Sequence, residues 1–376
     1  MKKKVISIAL VLALALSLAA LSGCGSSKVT LNVYNWGEYI SDGSEDSLDS
    51  NAAFEEWYYE TFGEHVRVNY STFSSNEDMY AKLASGSVSY DVVVPSDYMI
   101  QRLIAEGLVQ KLDHENIPNL ANLHGDFYGE NAKFDYYDKG CLYSVPYMYG
   151  MVGIIYNTTM VDEPITSWGA MFDEKYAGQV LMINNSRDAL MAALCYLGYD
   201  INTTDEGQLT EAFELVKNAK DKGVYQAFVM DEVFGKMEGG NAAITMYYAG
   251  DYLTMLENNE DLAFVIPEEG SNWFVDAMCV LKSSQHKAEA YEWINFIAST
   301  DSNLANMDYI WYASPNAEAL AEYPAYYEET YGESLDEEIY NIMAIPDEER
   351  ERCEIYVNLP QETLKFYDKL WTQLGV

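Results

Sequence analysis

From Val29 onward, short apolar, β-branched runs alternate with stretches whose apolar residues recur at helical spacing. The runs predict strands at 31–36, 66–72, 91–95, 152–156, 180–183, 243–248, 262–266 and 277–281, and the amphipathic stretches predict helices near 51–61, 76–85, 187–197, 206–222 and 288–298. Ser75, three residues before Asp78, caps the second of these. Strands and helices in alternation mean an α/β architecture. Extended segments around 146–150 and 269–273 suit a chain that leaves one domain and returns to it, the connectivity of a clamshell. On that reading 29–146 and 275–312 form one lobe, and 147–274 and 313–376 form the other. The stretch 322–354, dense in Glu, Asp and Tyr, reads as a solvated helical elaboration.

A separate pattern precedes Val29. Lys2, Lys3 and Lys4 are followed by an apolar run from Val5 to Leu21, the layout of a signal peptide and short for a membrane span. Leu21-Ser22-Gly23-Cys24 resembles the lipobox of bacterial lipoproteins. That resemblance implies removal of residues 1–23, lipid on Cys24, and a flexible tether over 24–28. It implies a mature chain anchored on the extracellular face of the cell membrane, or on the periplasmic side where an outer membrane exists. An uncleaved anchor helix is the alternative.

Roughly 350 mature residues exceed what one hydrophobic core usually serves, in keeping with two lobes. The formal charge of −38 repels nucleic acid and anionic lipid and concentrates cations. The same acidity also serves solubility alone. Cys141, Cys195, Cys279 and Cys353 have no metal-ligand spacing; Cys195 and Cys279 sit in apolar runs as buried thiols, and disulfide pairing stays open. Without GxSxG, HExxH or a phosphate-binding glycine loop, neither enzyme chemistry nor a cofactor or metal is expected. Two rivals remain: paired cleft carboxylates hydrolysing a glycosidic bond, and ferric ion held by Tyr247-Tyr248. Strand alternation expects one of those two tyrosines to face the core.

Ligands of open α/β sheets sit beyond the carboxyl ends of the strands. Those ends read Asn35-Trp36-Gly37-Glu38-Tyr39, Ser96-Asp97-Tyr98, Asn184-Asn185-Ser186-Arg187-Asp188 and Tyr247-Tyr248-Ala249-Gly250-Asp251, followed by Trp273-Phe274-Val275-Asp276 and Trp311-Tyr312. Converging from two lobes, they form an aromatic cage with acidic ends. An alkyl polyammonium needs that chemistry. Carboxylates replace the water its charges lose, and aromatic faces attract the cations while covering the methylenes. Each residue also has a plain reading, with Trp36 and Tyr98 as core aromatics, Asp276 as a helix cap, and Asp188 as a first-turn acid favoured by the helix dipole.

The chain resembles the spermidine/putrescine-binding proteins of polyamine ABC transporters, of the periplasmic binding protein-like II fold. The resemblance rests on Tyr34-Asn35-Trp36-Gly37-Glu38-Tyr39, Met79-Tyr80-Ala81-Lys82-Leu83, Tyr90-Asp91-Val92-Val93-Val94-Pro95-Ser96, Thr166-Ser167-Trp168, Leu197-Gly198-Tyr199, Pro267-Glu268-Glu269-Gly270 and Ser314-Pro315-Asn316, in that order. It implies a monomeric binding protein that closes on putrescine or spermidine and docks with a permease and its ATPase. By the same resemblance, Trp36, Tyr39, Tyr248 and Tyr312 are cage walls, Glu38 an amine partner, and Ser96 and Tyr98 polar contacts. Asp276 is then the main carboxylate, Phe274 the methylene contact, and Asp251 a further acid. Asn185 and Asp188 stand where spermidine binders carry an acidic pair.

Overall fold

The computed structural model describes residues 28–376 apart from Ser87 and Asn131, so the expected leader and Cys24 lie outside the described residues. Among them, β1 (Val29–Trp36), β2 (Val66–Phe73) and β3 (Val92–Val93) run parallel with β1 in the middle. α1 (Ser50–Phe62) and α2 (Asn76–Ser85) fall between these strands, and α3 (Asp97–Ala105) follows β3. The Ser75 hydroxyl accepts from the Asp78 amide at 3.1 Å, the expected cap.

β4 (Ser144–Asn157) is 14 residues long and buried almost throughout. Its partners change along its length. Ser144 to Met151 pair antiparallel with β9 (Trp273–Val280), which also pairs with β3. From Val152 the strand pairs with β7 (Ile244–Tyr248) and from Ile154 with β8 (Leu262–Val265), both antiparallel. β7 in turn lies parallel to β5 (Val180–Ile183), and β5 to β6 (Tyr225–Val229), giving the order β2-β1-β3-β9-β4-β7-β5-β6. The result is two α/β lobes sharing one strand. Residues 144–151 escape the strand prediction because Pro146 and Gly150 read as turn punctuation. Pro146 sits where the β4–β9 register shifts, which is how the ladder tolerates it.

α4 (Ser186–Leu197), α5 (Glu206–Asp221), α6 (Val233–Glu238) and α7 (Ala249–Asn258) belong to the second lobe. α8 (Lys287–Ile297) and α9 (Thr300–Ile310) return to the first, and α9 packs on α10 (Ala317–Tyr331). α11 (Glu337–Ala344), α12 (Asp347–Arg350) and α13 (Gln361–Leu374) complete the chain, α11 against α7 and α13 against α4 and α5. The acidic stretch 322–354 is helical, although Tyr323 within it is wholly buried. The four cysteines of the described residues are free thiols, with Cys141, Cys195 and Cys279 buried. No described helix is long and apolar enough to cross a membrane.

Candidate functional site

One local design recurs around the space between the lobes: a strand ends, a polar residue turns the chain, and a helix begins. After β3, Ser96 is the N-cap of α3 and Tyr98 lies in its first turn. After β5, Asn185 caps α4 by accepting from the Arg187 and Asp188 amides, which places Asp188 in the first turn. After β7, Tyr248 is the N-cap of α7 and Asp251 follows three residues on. β1 ends at Trp36, and Glu38 at φ 46° turns the chain so that Tyr39 faces back. Such positions point side chains beyond the sheet, where they meet those of the facing lobe.

Two placements differ from the sequence expectation. Asp276 lies inside β9 and is not a helix cap. β9 is antiparallel to β3, so its opening residues sit beside the carboxyl ends of the parallel strands, with Asp276 opposite Ser96. Tyr312 follows helix α9, not a strand, and Trp311 at φ 58° redirects the chain before it.

All twelve residues named from the sequence line one cavity, which with its open mouth holds about 720 Å³ of space between atoms. The Tyr39 hydroxyl donates to Asp276 Oδ2 at 2.9 Å, and its ring stands edge-on to Tyr312 with centroids 4.8 Å apart. Asp188 accepts from Tyr248 at 2.9 Å and from Tyr356 at 3.0 Å. Asn76 donates to Ser96 Oγ at 3.0 Å and to the Tyr98 hydroxyl at 3.1 Å. A Cβ on Gly250 would meet the Tyr312 ring at 2.3 Å, so only glycine lets that ring lie across the start of α7. Tyr248 and Phe274 meet edge to face at 5.5 Å.

The lining carries carboxylates and no Lys, Arg or His. Burial raises Asp276 to about 7 against the lowering bonds from Ser96 and Tyr39, and Asp188 adds to the rise. Burial likewise raises Asp251 to about 8, with repulsion from Asp231 and Glu38 outweighed in part by the Tyr312 hydroxyl. Asp188 is raised by burial and held back by Tyr248, Tyr356 and Arg187. Asp276 Oδ1 is buried without a hydrogen-bond partner. A carboxylate oxygen in that state costs free energy until a cationic donor meets it. Arg187 stays outside the lining, its guanidinium 4.3 Å from the Tyr356 ring centroid and 5.3 Å from that of Tyr98.

Alternation holds for the tyrosine pair in that Tyr247 is a buried member of the core while Tyr248 is only partly buried. Both nevertheless border the cavity, their rings 4.9 Å apart, since Tyr248 sits where strand gives way to helix. Among the described residues no group of three or more His, Cys, Asp or Glu is placed to hold a metal ion. Asn76, Asp231 and Tyr356 also line the cavity and were not foreseen. Asn76 and Asp231 follow the same strand-end rule, after β2 and after the unrecognised β6. Tyr356 comes from the C-terminal segment far along the chain, where no local signal marks it.

The model of the bacterial extracellular solute-binding proteins matches residues 52–330. The spermidine/putrescine-binding periplasmic protein of Salmonella typhimurium is 31% identical over 307 residues, covering 81% of this chain and 83% of that protein. The putrescine-binding periplasmic protein SpuD of Pseudomonas aeruginosa is 29% identical, with 97% and 96% covered. Among solved structures, the spermidine/putrescine ABC transporter substrate-binding protein PotD of Streptococcus pneumoniae superposes with a TM-score of 0.71 at 30% identity, covering 93% and 99%.

Proposed function

The chain belongs to the bacterial extracellular solute-binding proteins, and from that premise we propose that it captures a short alkyl polyamine of the putrescine or spermidine class and delivers it to an ABC importer. One observation carries the reading. Asp276 holds a buried, unpartnered carboxylate oxygen in a cavity walled by tyrosines, Trp36 and Phe274 and free of cationic side chains. Anions and sugar phosphates gain nothing from such a site, whereas an ammonium supplies the missing donor together with a compensating charge. The aromatic walls add about 0.5–2 kcal/mol each through cation–π attraction. The similar proteins whose names specify polyamines support the same class.

Delivery requires closure that depends on ligand, so the ligand must contact both lobes. Trp36, Glu38, Tyr39, Ser96, Tyr98 and Asp276 are the contacts from the first lobe, and Asn185, Asp188, Tyr248 and Asp251 those from the second. Phe274 and Tyr312 lie at the crossing segments. On this reading the lobes are formed by 29–146 with 275–312 and by 147–274 with 313–376. Lipid on Cys24 keeps this monomer beside its permease and ATPase on the outer face of the membrane. The lipobox sequence supports the anchor.

Calorimetric titration with putrescine, cadaverine, spermidine and spermine tests the reading. Micromolar or tighter binding of at least one is expected; no heat and no thermal shift with any of the four sinks it.

A further inference from the structure

Asp231 stands just before α6 and lines the same cavity as Glu38 and Asp251. It crosses the gap between the lobes, since a Cβ on Gly37 of the first lobe would lie 2.9 Å from its Oδ2. The bare Gly37 backbone therefore admits the Asp231 carboxylate directly above the turn that carries Glu38. Its carboxyl is raised by burial and by Glu232 beside it and held back by Tyr247 of β7. Glu38 is raised by its own burial, then by Asp231 and Asp42, and Asp251 by burial, then by Asp231 and Glu38, so the three carboxylates feel one another. Glu38 and Asp231 are exposed at the surface, whereas Asp276 Oδ1 lies buried and unpartnered in the same cavity. No lysine or arginine lines the space between them.

We propose that Glu38, Asp231 and Asp251 form a carboxylate triad across the mouth that resists closure by mutual repulsion and is bridged by the outer ammonium of a ligand whose inner ammonium meets Asp276. Asp231 is thus a ligand-binding residue and the one that makes closing conditional on charge. Glu38 belongs to one lobe and Asp231 to the other, so their repulsion acts only when the lobes approach, while Asp251, raised to about 8, keeps its proton near pH 7 until an ammonium draws it into the ionised cluster. A cation between them reverses its sign. A ligand with one positive charge satisfies Asp276 and leaves the mouth repulsive, so the triad selects for at least two charges at opposite ends of a chain. The inference rests on the polyamine reading for the identity of the bridging cation, but not for the repulsion.

Two variants of the full mature chain test it. In Asp231→Asn, small-angle X-ray scattering without ligand should shift toward the compact form. The Kd for putrescine should rise roughly 10- to 100-fold, the scale of one lost charge-assisted hydrogen bond. The Kd for 1-aminobutane should change far less. Asp231→Lys supplies its own ammonium. Its ligand-free scattering should match that of putrescine-saturated wild type, with putrescine binding lost. Scattering from both ligand-free variants that is identical to wild type overturns the triad, as does equal weakening of diamine and monoamine. Failure of wild type to bind any polyamine overturns the proposed function instead, and the ligand-free scattering still decides the repulsion.

Discussion

Asp276 is 4% exposed, with one oxygen held by Tyr39 and the other by nothing. Its exchange for asparagine removes the buried counter-charge without changing shape. Asp276→Asn is expected to weaken putrescine binding by about 2–5 kcal/mol, read by calorimetry, while the fold is kept. Gly250 offers an independent probe of the same cage. Gly250→Ala drives a methyl into the Tyr312 ring, and overpacking of this kind costs about 1–3 kcal/mol. Both the denaturation midpoint and polyamine affinity should fall, and an unchanged affinity would place Tyr312 outside the site. At this scale the sequence was informative because the same few residue types follow each strand. Tyr356 escaped because its contact with Asp188 joins residues 168 positions apart.

Elements were legible wherever the hydrophobic period was local. β5 and α2 appear with the bounds their patterns predict. β6 was missed because Tyr225-Gln226-Ala227-Phe228-Val229 has only one fully buried position, although Gly223 marks the end of the helix before it. α3 was missed although its spacing is amphipathic, with Met99, Ile100 and Leu103 buried and Gln101 and Arg102 on the more open face. Where the sequence suggested an extended segment around 146–150, β4 runs as one strand that changes partners from β9 to β7 and β8. Asn185 shows how an element can account for a residue assigned to the ligand, since its side chain accepts two amides at the start of α4. Asn185→Ala should cost about 0.5–2 kcal/mol of unfolding free energy in a denaturant titration. Asn185→Asp keeps the cap, so its stability should stay near wild type; a loss equal to that of alanine would refute the capping role.

Over the whole molecule the raised carboxyls govern response to pH. Asp276 at about 7 and Asp251 at about 8 bind protons in the folded, ligand-free protein that the unfolded chain has released above its usual value near 3.8. Their contribution to stability is therefore fully present below about 3.8 and is lost progressively as pH rises from there through roughly 7 to 8. The ligand-free melting temperature should fall over that window more steeply than in an Asp251→Asn, Asp276→Asn double variant. Saturating putrescine should flatten the slope, because ammonium partners keep both groups ionised. Binding at pH 7 should accordingly release protons, seen as different calorimetric enthalpies in phosphate and Tris buffers. Equal enthalpies would mean that the two carboxyls are already ionised before ligand arrives.

Shared hydrogen bonding along β4 has a further effect on how the protein comes apart. A strand whose first half is laddered into one sheet and whose second half is laddered into the other leaves no seam at which a lobe can melt alone. Val145, Met148, Val152 and Ile154 of this strand belong to a single apolar cluster that also contains Leu31 and Val33 of β1 and Leu181 and Ile183 of β5. Heat should then disrupt both halves together, giving one calorimetric peak whose measured and van't Hoff enthalpies agree. β4 amides should exchange with solvent only through complete unfolding.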